Sequence, residues 1–565
     1  MPGTASSQDR PCPGSAPEPA QEPKRLSLAA AANWGKLRAV NKPLDASRRH
    51  LIALAAGAAL CPLASLPFLR HARAADVDRF TLGVASGCPR PESVVLWTRV
   101  LGADLPDRLP VAWEVARDEG FDDIAANGIA VAETGWAHSV HVDVSGLAPA
   151  RWYWYRFTAL GGRSAVGRTR TAPAPGANDP LQFAIASCQR WDHGHYAAWR
   201  HMAEENLDLV LFLGDYIYES APTPPSARRV RTHEGSGAVK TLQQYRNRYA
   251  EYKGDPALQR MHAAAPWIMV WDDHEVENDY ANDQGETLGG DFLARRAAAY
   301  QAYWEHMPFP SALRPRNADL RIFERYDWGR LARIHAVDDR QYRDHQVCPR
   351  PGRGGSNTVT PKECPALLDP ERTLLGAEQE RWLGDGWSTQ HGWNLLAQQT
   401  LMARFSWRDP AQRESTAERP DLPGGLYWTD GWDGYPPARA RLLGAAVERK
   451  APNVVVFGGD VHANYVADLK VDYDDPKAAR VGTEFCGTSI TSEGLEQSRI
   501  DAALPFNPHV HYGRSDQHGY MRFTLDAKAL QAQLRVVDDA LDPASAIGTL
   551  ARFAVEAGRP GALPC

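Results

Sequence analysis

Six short apolar runs recur after residue 180, and each stops at polar side chains. Leu181 to Ala186 ends at Ser187-Cys188, and Leu207 to Leu213 ends at Gly214-Asp215-Tyr216-Ile217-Tyr218-Glu219. Pro266 to Trp271 ends at Asp272-Asp273-His274-Glu275, and Leu331 to Val337 ends at Asp338-Asp339-Arg340-Gln341. Trp393 to Ala397 ends at Gln398-Gln399, and Asn453 to Phe457 ends at Gly458-Gly459-Asp460-Val461-His462. Runs of this length read as buried strands, and helical stretches such as His195 to Glu205 lie between them. Alternation of that kind predicts an α/β core. In open α/β sheets the strand carboxyl ends share one edge, where ligands bind. Cys188 and His462 are therefore expected in one cleft despite their distance along the chain.

Trp271 to Tyr280 is the densest of these termini, with carboxylates, an imidazole and the Asn278 amide packed where a strand meets a loop. Buried without partners, such a cluster costs free energy, and a cation is the obvious partner. A polar turn capping a helix is the plain alternative for this stretch alone. Recurrence of Asp, His, Asn or Cys at several strand ends favours a metal site.

The rest of the chain sets bounds. With 565 residues, 43% hydrophobic content and 18 Trp, it is a globular protein of more than one domain. Its formal charge is -6, and no basic stripe follows the N-terminal region, so a nucleic-acid-binding surface is not expected. The first 45 residues are rich in Pro, Ala and Ser. Arg48-Arg49 then precedes an uncharged, Ala-rich run from Leu51 to Leu69 and the small-x-small site Ala72-Arg73-Ala74. That order resembles a twin-arginine export signal, with a membrane anchor as the alternative. Residues 1–74 are thus expected to be removed, placing the protein in the periplasm or outside the cell, with the twin-arginine machinery as a partner. Lys and Arg outnumber Asp and Glu in that segment, so its loss leaves a more acidic chain. An oxidising compartment allows disulfides, and Cys348 with Cys364, flanking a Pro/Gly-rich loop, is the preferred pair.

Residues 76–173 read differently. Val94 to Thr98, Val111 to Val115, Ser139 to Val144 and Trp152 to Phe157 are short strands separated by Gly, Pro and Asp turns, the spacing of a β-sandwich. Gly146-Leu147-Ala148-Pro149 before the aromatic strand looks like a fibronectin- or immunoglobulin-type corner. A Pro/Gly-rich linker leads to a catalytic domain over residues 180–541, and residues 542–565 are expected to be a tail.

Several motifs together carry a family resemblance. Gly214-Asp215 with Tyr218, Asp273-His274-Glu275 and Gly459-Asp460-Val461-His462 resemble the calcineurin-type metallophosphoesterase motifs. Cys188 as first ligand, Arg340-Gln341-Tyr342-Arg343, Trp432-Asp433-Gly434-Tyr435 and Gly482-Thr483-Glu484-Phe485 narrow this to a resemblance to the PhoD-like alkaline phosphatase/phosphodiesterase family. The resemblance implies a sandwich of two mixed β-sheets flanked by helices, behind an N-terminal immunoglobulin/fibronectin-like domain. It implies Fe3+ and Ca2+ without zinc. By position, Cys188, Asp215, Tyr218 and His462 would hold iron. Asp215 would bridge to a second metal held by Asp273 or Asn278 and by Asp460, with Asp338 a further candidate. Anionic thiolate, phenolate and carboxylate suit a trivalent iron, and oxygen donors suit calcium.

The implied activity is hydrolysis of a phosphoester substrate by a metal-bound hydroxide or oxide. His274 would serve the leaving group, and Arg340 would clamp phosphate through its planar fork. Arg246 and Arg343 are weaker substrate-binding candidates. Cys88 and Cys486 depart from the family pattern, and an added disulfide involving Cys565 is one reading of them. The sequence leaves open monoester against diester, including phospholipase D-type or teichoic-acid-type diesters, and the oligomeric state. A non-catalytic surface-binding protein is the rival from another class, which the complete motif set disfavours. His509, His511 and His518 read as structural, with zinc as a weaker alternative for the alternating pair.

Overall fold

The structure is a computed structural model that describes residues 78–220, 229–235, 237–411 and 424–565. The expected export segment, residues 1–74, lies outside the described residues.

Two large mixed sheets face each other. In the first, of ten strands, Leu181–Ala186, Leu209–Leu213 and Trp267–Val270 run parallel at the centre. In the second, of seven, Ala332–Ala336, Trp393–Ala397, Val454–Gly458 and Arg480–Cys486 run parallel. Leu209–Leu213, Trp393–Ala397 and Val454–Gly458 are buried at every position, as parallel strands covered on both faces must be. Phe183 and Phe523 of the first sheet meet Phe457 and Phe485 of the second, with ring centroids 4.9 to 5.4 Å apart between the sheets. This is the α/β sandwich expected from the strand pattern.

Helices Leu242–Lys253, Pro256–Ala264 and Phe292–His306 start where local chemistry places them. Thr241 and Gln244 form a reciprocal capping box. Asp255 caps the second helix, whose first residue is a proline, and Asp291 caps the third.

The N-terminal sandwich is present, but one of its faces is shared. Val84–Gly87, Ser93–Arg99 and Ser139–Ser145 extend the ten-stranded sheet, with Val84–Gly87 paired in parallel to Trp267–Val270. Arg108–Ala116, Ile124–Glu133, Trp152–Ala159 and two short strands form the opposing sheet. Val140, Val142 and Val144 of the shared sheet and Tyr153, Tyr155 and Phe157 of the opposing one form a common core, so the expected period-two pattern marks it. The corner is formed by the Ala148 N–H donating to the Tyr153 hydroxyl at 2.8 Å.

Two expectations are overturned. Residues 542–565 are not a tail, because Ile547–Glu556 and Arg559–Pro564 form the last two strands of the ten-stranded sheet. The Gly561 N–H also donates to Thr483 Oγ1 of the second sheet at 2.9 Å. Nor do Cys88 and Cys486 join a disulfide: both are free and buried. The Tyr326 hydroxyl donates to Cys88 Sγ, and the Cys486 thiol donates to the Gly459 carbonyl at 3.3 Å. Cys348 and Cys364 do pair, with Cα atoms 6.1 Å apart across 16 residues of chain. Replacing both by Ser should remove about 3 kcal/mol of stability by the loop-entropy argument, read as a lower thermal-unfolding midpoint.

Candidate functional site

The site is made by turns at the strand carboxyl ends. Cys188, Asp215, Asp460 and His462 all take left-handed backbone conformations, with φ of 59°, 59°, 64° and 51°. Each costs about 1–2 kcal/mol for a residue bearing a Cβ, and such strain collects at functional positions. Two glycines let the turns touch. A Cβ on Gly214 would lie 2.4 Å from Asp272 Cβ, and one on Gly459 would lie 2.5 Å from Ser187 Oγ. Neighbouring ends are then tied together: Cys188 N–H donates to the Gly214 carbonyl at 3.1 Å, and Gly459 N–H to the Gln399 carbonyl at 2.6 Å. The buried carboxylate of Glu275 accepts from the N–H groups of Asp215, Tyr216 and Asp272 at 2.6 to 3.1 Å. Glu484 does the same for Met402 and Ala403 at 2.6 Å each.

These turns gather ligand-type atoms. One donor atom each from Cys188, Asp215 and His462 lies within 4.8 Å of the others, and so does one each from Asp215, Asp273 and His274. Asp215 belongs to both groups. The Tyr218 hydroxyl donates to Asp215 Oδ2 at 2.7 Å and stands 3.3 Å from His462 Nε2. Asp460 Oδ2 accepts from Thr400 Oγ1 at 2.7 Å. Asn278, whose N–H donates to Glu219, borders the same cavity as Asp215, Asp273, Asp460 and His462.

The charge state of the cluster indicates what it fits. Burial and then the Asp215 carboxylate push the Cys188 thiol and the Tyr218 phenol well above their usual values. Burial and Asp273 raise Asp215 to about 6, against the pull of His274 and Tyr218. Asp215 Oδ1 and Asp273 Oδ1 are buried and make no hydrogen bond. Acidic groups whose ionisation is held back by burial and by neighbouring carboxylates, set around unsatisfied oxygens, are a donor set that a cation neutralises. His274 donates from Nδ1 to Glu219 Oε2 at 2.8 Å. Burial opposes its charge, but Asp273, Asp215 and Glu219 outweigh this and hold the imidazole well above its ordinary value.

The profile of the PhoD-like phosphatase matches residues 183–534, and that of the PhoD-like phosphatase N-terminal domain matches residues 66–173. Alkaline phosphatase D of Bacillus subtilis (strain 168) is 43% identical over 499 residues, spanning 85% of this chain and 82% of that protein. The chain belongs to the PhoD-like phosphatase family. A solved structure of PhoD superposes with a TM-score of 0.79 at 42% identity, covering 86% of this chain and 92% of that one. The purple acid phosphatase PPD1 of yellow lupin (Lupinus luteus) shares the fold, with a TM-score of 0.51 at 12% identity over 84% of this chain and 74% of that one.

In this PhoD-like phosphatase, four of the residues expected at the site do other work. Arg340 is fully buried, which excludes the expected phosphate clamp. Its Nε donates to Asp272 and its Nη1 to Asp430 Oδ2 at 2.7 Å, with Asp273 and Asp460 at 3.8 and 3.9 Å. It is the counter-charge beneath the cluster. Arg343 is likewise buried, donating to Asp430 Oδ1 at 2.6 Å and to the Tyr280 carbonyl at 2.7 Å. Asp338 is not available as a ligand, because Trp271 Nε1, Gln341 Nε2 and the N–H groups of Arg340 and Gln341 all donate to it at 3.0 to 3.1 Å. Arg246 is not at the site: it forks onto Glu305 at 2.5 and 2.7 Å and donates to the Gly135 carbonyl. The weak zinc alternative also fails, since His509 bonds the Arg404 carbonyl while His511 pairs with Asp468.

Other residues were missed. Glu219 orients His274, and its place immediately after Tyr218 was a usable signal. Ser492 Oγ lies 2.7 Å from the Tyr218 hydroxyl and 2.9 Å from the Cys188 carbonyl. Asp430 and Asp279 form a further carboxylate group with Asp273. Nothing local distinguishes Ser492 or Asp430 from ordinary loop residues.

Two cavities open beside the cluster. One, of about 420 Å³, is lined by Asp215, Asp273, Asp460 and aromatic side chains. The other, of about 1060 Å³, has a mixed lining in which Arg190, Lys240 and Arg295 stand beside Tyr218, Phe292 and several alanines and glycines. His274, Asn278 and His462 border both.

Arg340→Met should cost about 3–5 kcal/mol, because it strands buried carboxylates. The check is urea unfolding beside a KM measurement. In the folded fraction, Arg246→Ala should leave KM for a phosphoester within about twofold, since its contacts lie elsewhere.

Proposed function

We propose that the chain is an exported, metal-dependent phosphoester hydrolase of the alkaline phosphatase D type. Cys188, Asp215, Tyr218 and His462 would hold a trivalent iron, and Asp215, Asp273, Asn278 and Asp460 would hold calcium. The observation that carries this reading is the position of Asp215 in two donor groups, each within 4.8 Å. The metal identities are supported by donor chemistry: thiolate and phenolate beside a carboxylate suit a high-charge iron, and an all-oxygen set suits calcium. Export is supported by the Arg48-Arg49 pair, the uncharged run and the small-x-small site that follow one another in the sequence.

Cations held there supply neutralisation of the phosphoryl oxygens and a lowered pKa for bound water. The chain's own residues do the rest. Glu219 accepts from His274 Nδ1 and fixes the ring, leaving Nε2 to deliver a proton to the departing ester oxygen. Arg340 offsets the charge of Asp272, Asp273, Asp430 and Asp460 from below, so several carboxylates stay close together. Asp215 carries one hydrogen bond from Tyr218 and keeps its other oxygen unsatisfied toward the cluster. Cavities on both sides of His274 give room for both substituents of a phosphodiester, which favours diesters as a second reading beside monoesters.

Elemental analysis of natively exported protein should find iron and calcium. Asp215→Asn should lose both bound metal and turnover of p-nitrophenyl phosphate, by at least about a thousandfold. Full activity in that variant would refute the shared-ligand role. Tyr218→Phe should remove a visible charge-transfer band while leaving the fold intact by circular dichroism.

A further inference from the structure

The smaller cavity has a composition that phosphate chemistry does not call for. Its floor is the cluster, but its walls include Leu401, Trp407, Trp428, Val461 and Leu495, none of them fully buried. Behind them the structure is built firmly. Trp432 is buried, with its indole N–H on Gln398 Oε1 at 3.0 Å, and Phe405 packs edge-on to Trp407 with centroids 5.0 Å apart. The Arg499 guanidinium stands 5.5 Å from the Trp407 ring centroid. Two indoles and three aliphatic side chains left accessible beside a polar centre are costly unless an apolar group covers them. The volume of about 420 Å³ falls within the usual range for small-molecule sites, about 300–1,000 Å³. Among the described residues, no tryptophan lines the larger cavity.

We infer that the aromatic cavity is a subsite for one organic substituent of the phosphoester, and that it selects a planar aromatic ring over an open-chain polyol. The inference rests on the phosphoester-hydrolase reading and adds the chemistry of the substrate to it. Ring faces stack on indole whatever their substituents, whereas a polyol laid against the indole and aliphatic side chains leaves the hydroxyls on that side without partners. Continuity with the cluster puts the occupant on the reacting molecule: Asp215, Asp273 and His274 form the floor on which Trp428 and Trp407 stand.

The test compares kcat/KM of the wild type, Trp407→Ala, Trp428→Ala and Trp428→Leu on three monoesters: 1-naphthyl phosphate, adenosine 5′-monophosphate and glycerol 1-phosphate. Each alanine variant should lose about tenfold on the naphthyl ester, mainly through KM, and stay within about twofold on the glycerol ester. An equal loss on the nucleotide assigns the subsite to rings held one sugar away from phosphorus. Loss on the naphthyl ester alone assigns it to rings attached directly. Trp428→Leu keeps the apolar volume without the flat face, so it should show the same selectivity loss if Trp428→Ala does not fold. Equal losses on all three esters, or none on the naphthyl ester, overturn the subsite. A wild type with bound metal that hydrolyses none of the three overturns the hydrolase reading instead.

Discussion

Burying several carboxylates side by side requires opposite charge at close range, and the catalytic half of this molecule is arranged around that requirement. Asp272, Asp273, Asp339, Asp430 and Asp460 lie within 4 Å of the single guanidinium of Arg340. Arg343 supports it through Asp430. Without these arginines the sheet edge could not hold so much negative charge in a low-dielectric interior. Even with them, burial and neighbouring carboxylates hold Asp215, Cys188 and Tyr218 above their ordinary pKa values. The arginines thus leave the ligand set under-neutralised, which is the condition in which it attracts cations strongly.

Rigidity follows from how the turns are held. Left-handed backbone at Cys188, Asp215, Asp460 and His462 is unfavourable taken singly. It persists because the flanking strands are fully buried and because Glu275 and Glu484 take up the N–H groups of neighbouring loops. Burial raises Glu484 to about 7 despite those bonds, so its charged form is held at some expense to stability. The sheets therefore provide the stability that the site spends, and the clustered side chains are held in fixed orientation.

Much of this was legible along the chain. Each apolar run that stops at Asp, Cys, His or Gln became a strand with a polar carboxyl end, because a fully buried parallel strand has few other ways to be written. The motifs around Asp215, Asp273 and Asp460 located the cluster for the same reason. The Cys348–Cys364 pair was legible from its loop. Other features were not. Arg340 reads as a phosphate clamp because an arginine beside motif carboxylates looks the same in one dimension whether it faces substrate or core. Only its complete burial separates the two. The edge strand Arg559–Pro564 is short and holds two prolines and a glycine, so it lacks the hydrophobic signature of a central strand, and Ile547–Glu556 was passed over with it. The sharing of one sheet by both modules was equally hidden, since pairing between Val84–Gly87 and Trp267–Val270 joins segments far apart in sequence.

The sequence by itself determined the α/β class, the β-sandwich ahead of it, the polar strand ends and the family, because periodicity and local motifs are properties of short segments. Tertiary structure alone decided which buried charges neutralise one another and which remain for a ligand. It also decided that Asp215 serves two donor groups and that tryptophans from separate loops line one wall of the cleft. Those depend on contacts between residues tens to hundreds of positions apart, whose strength is set by distance and burial rather than by residue type.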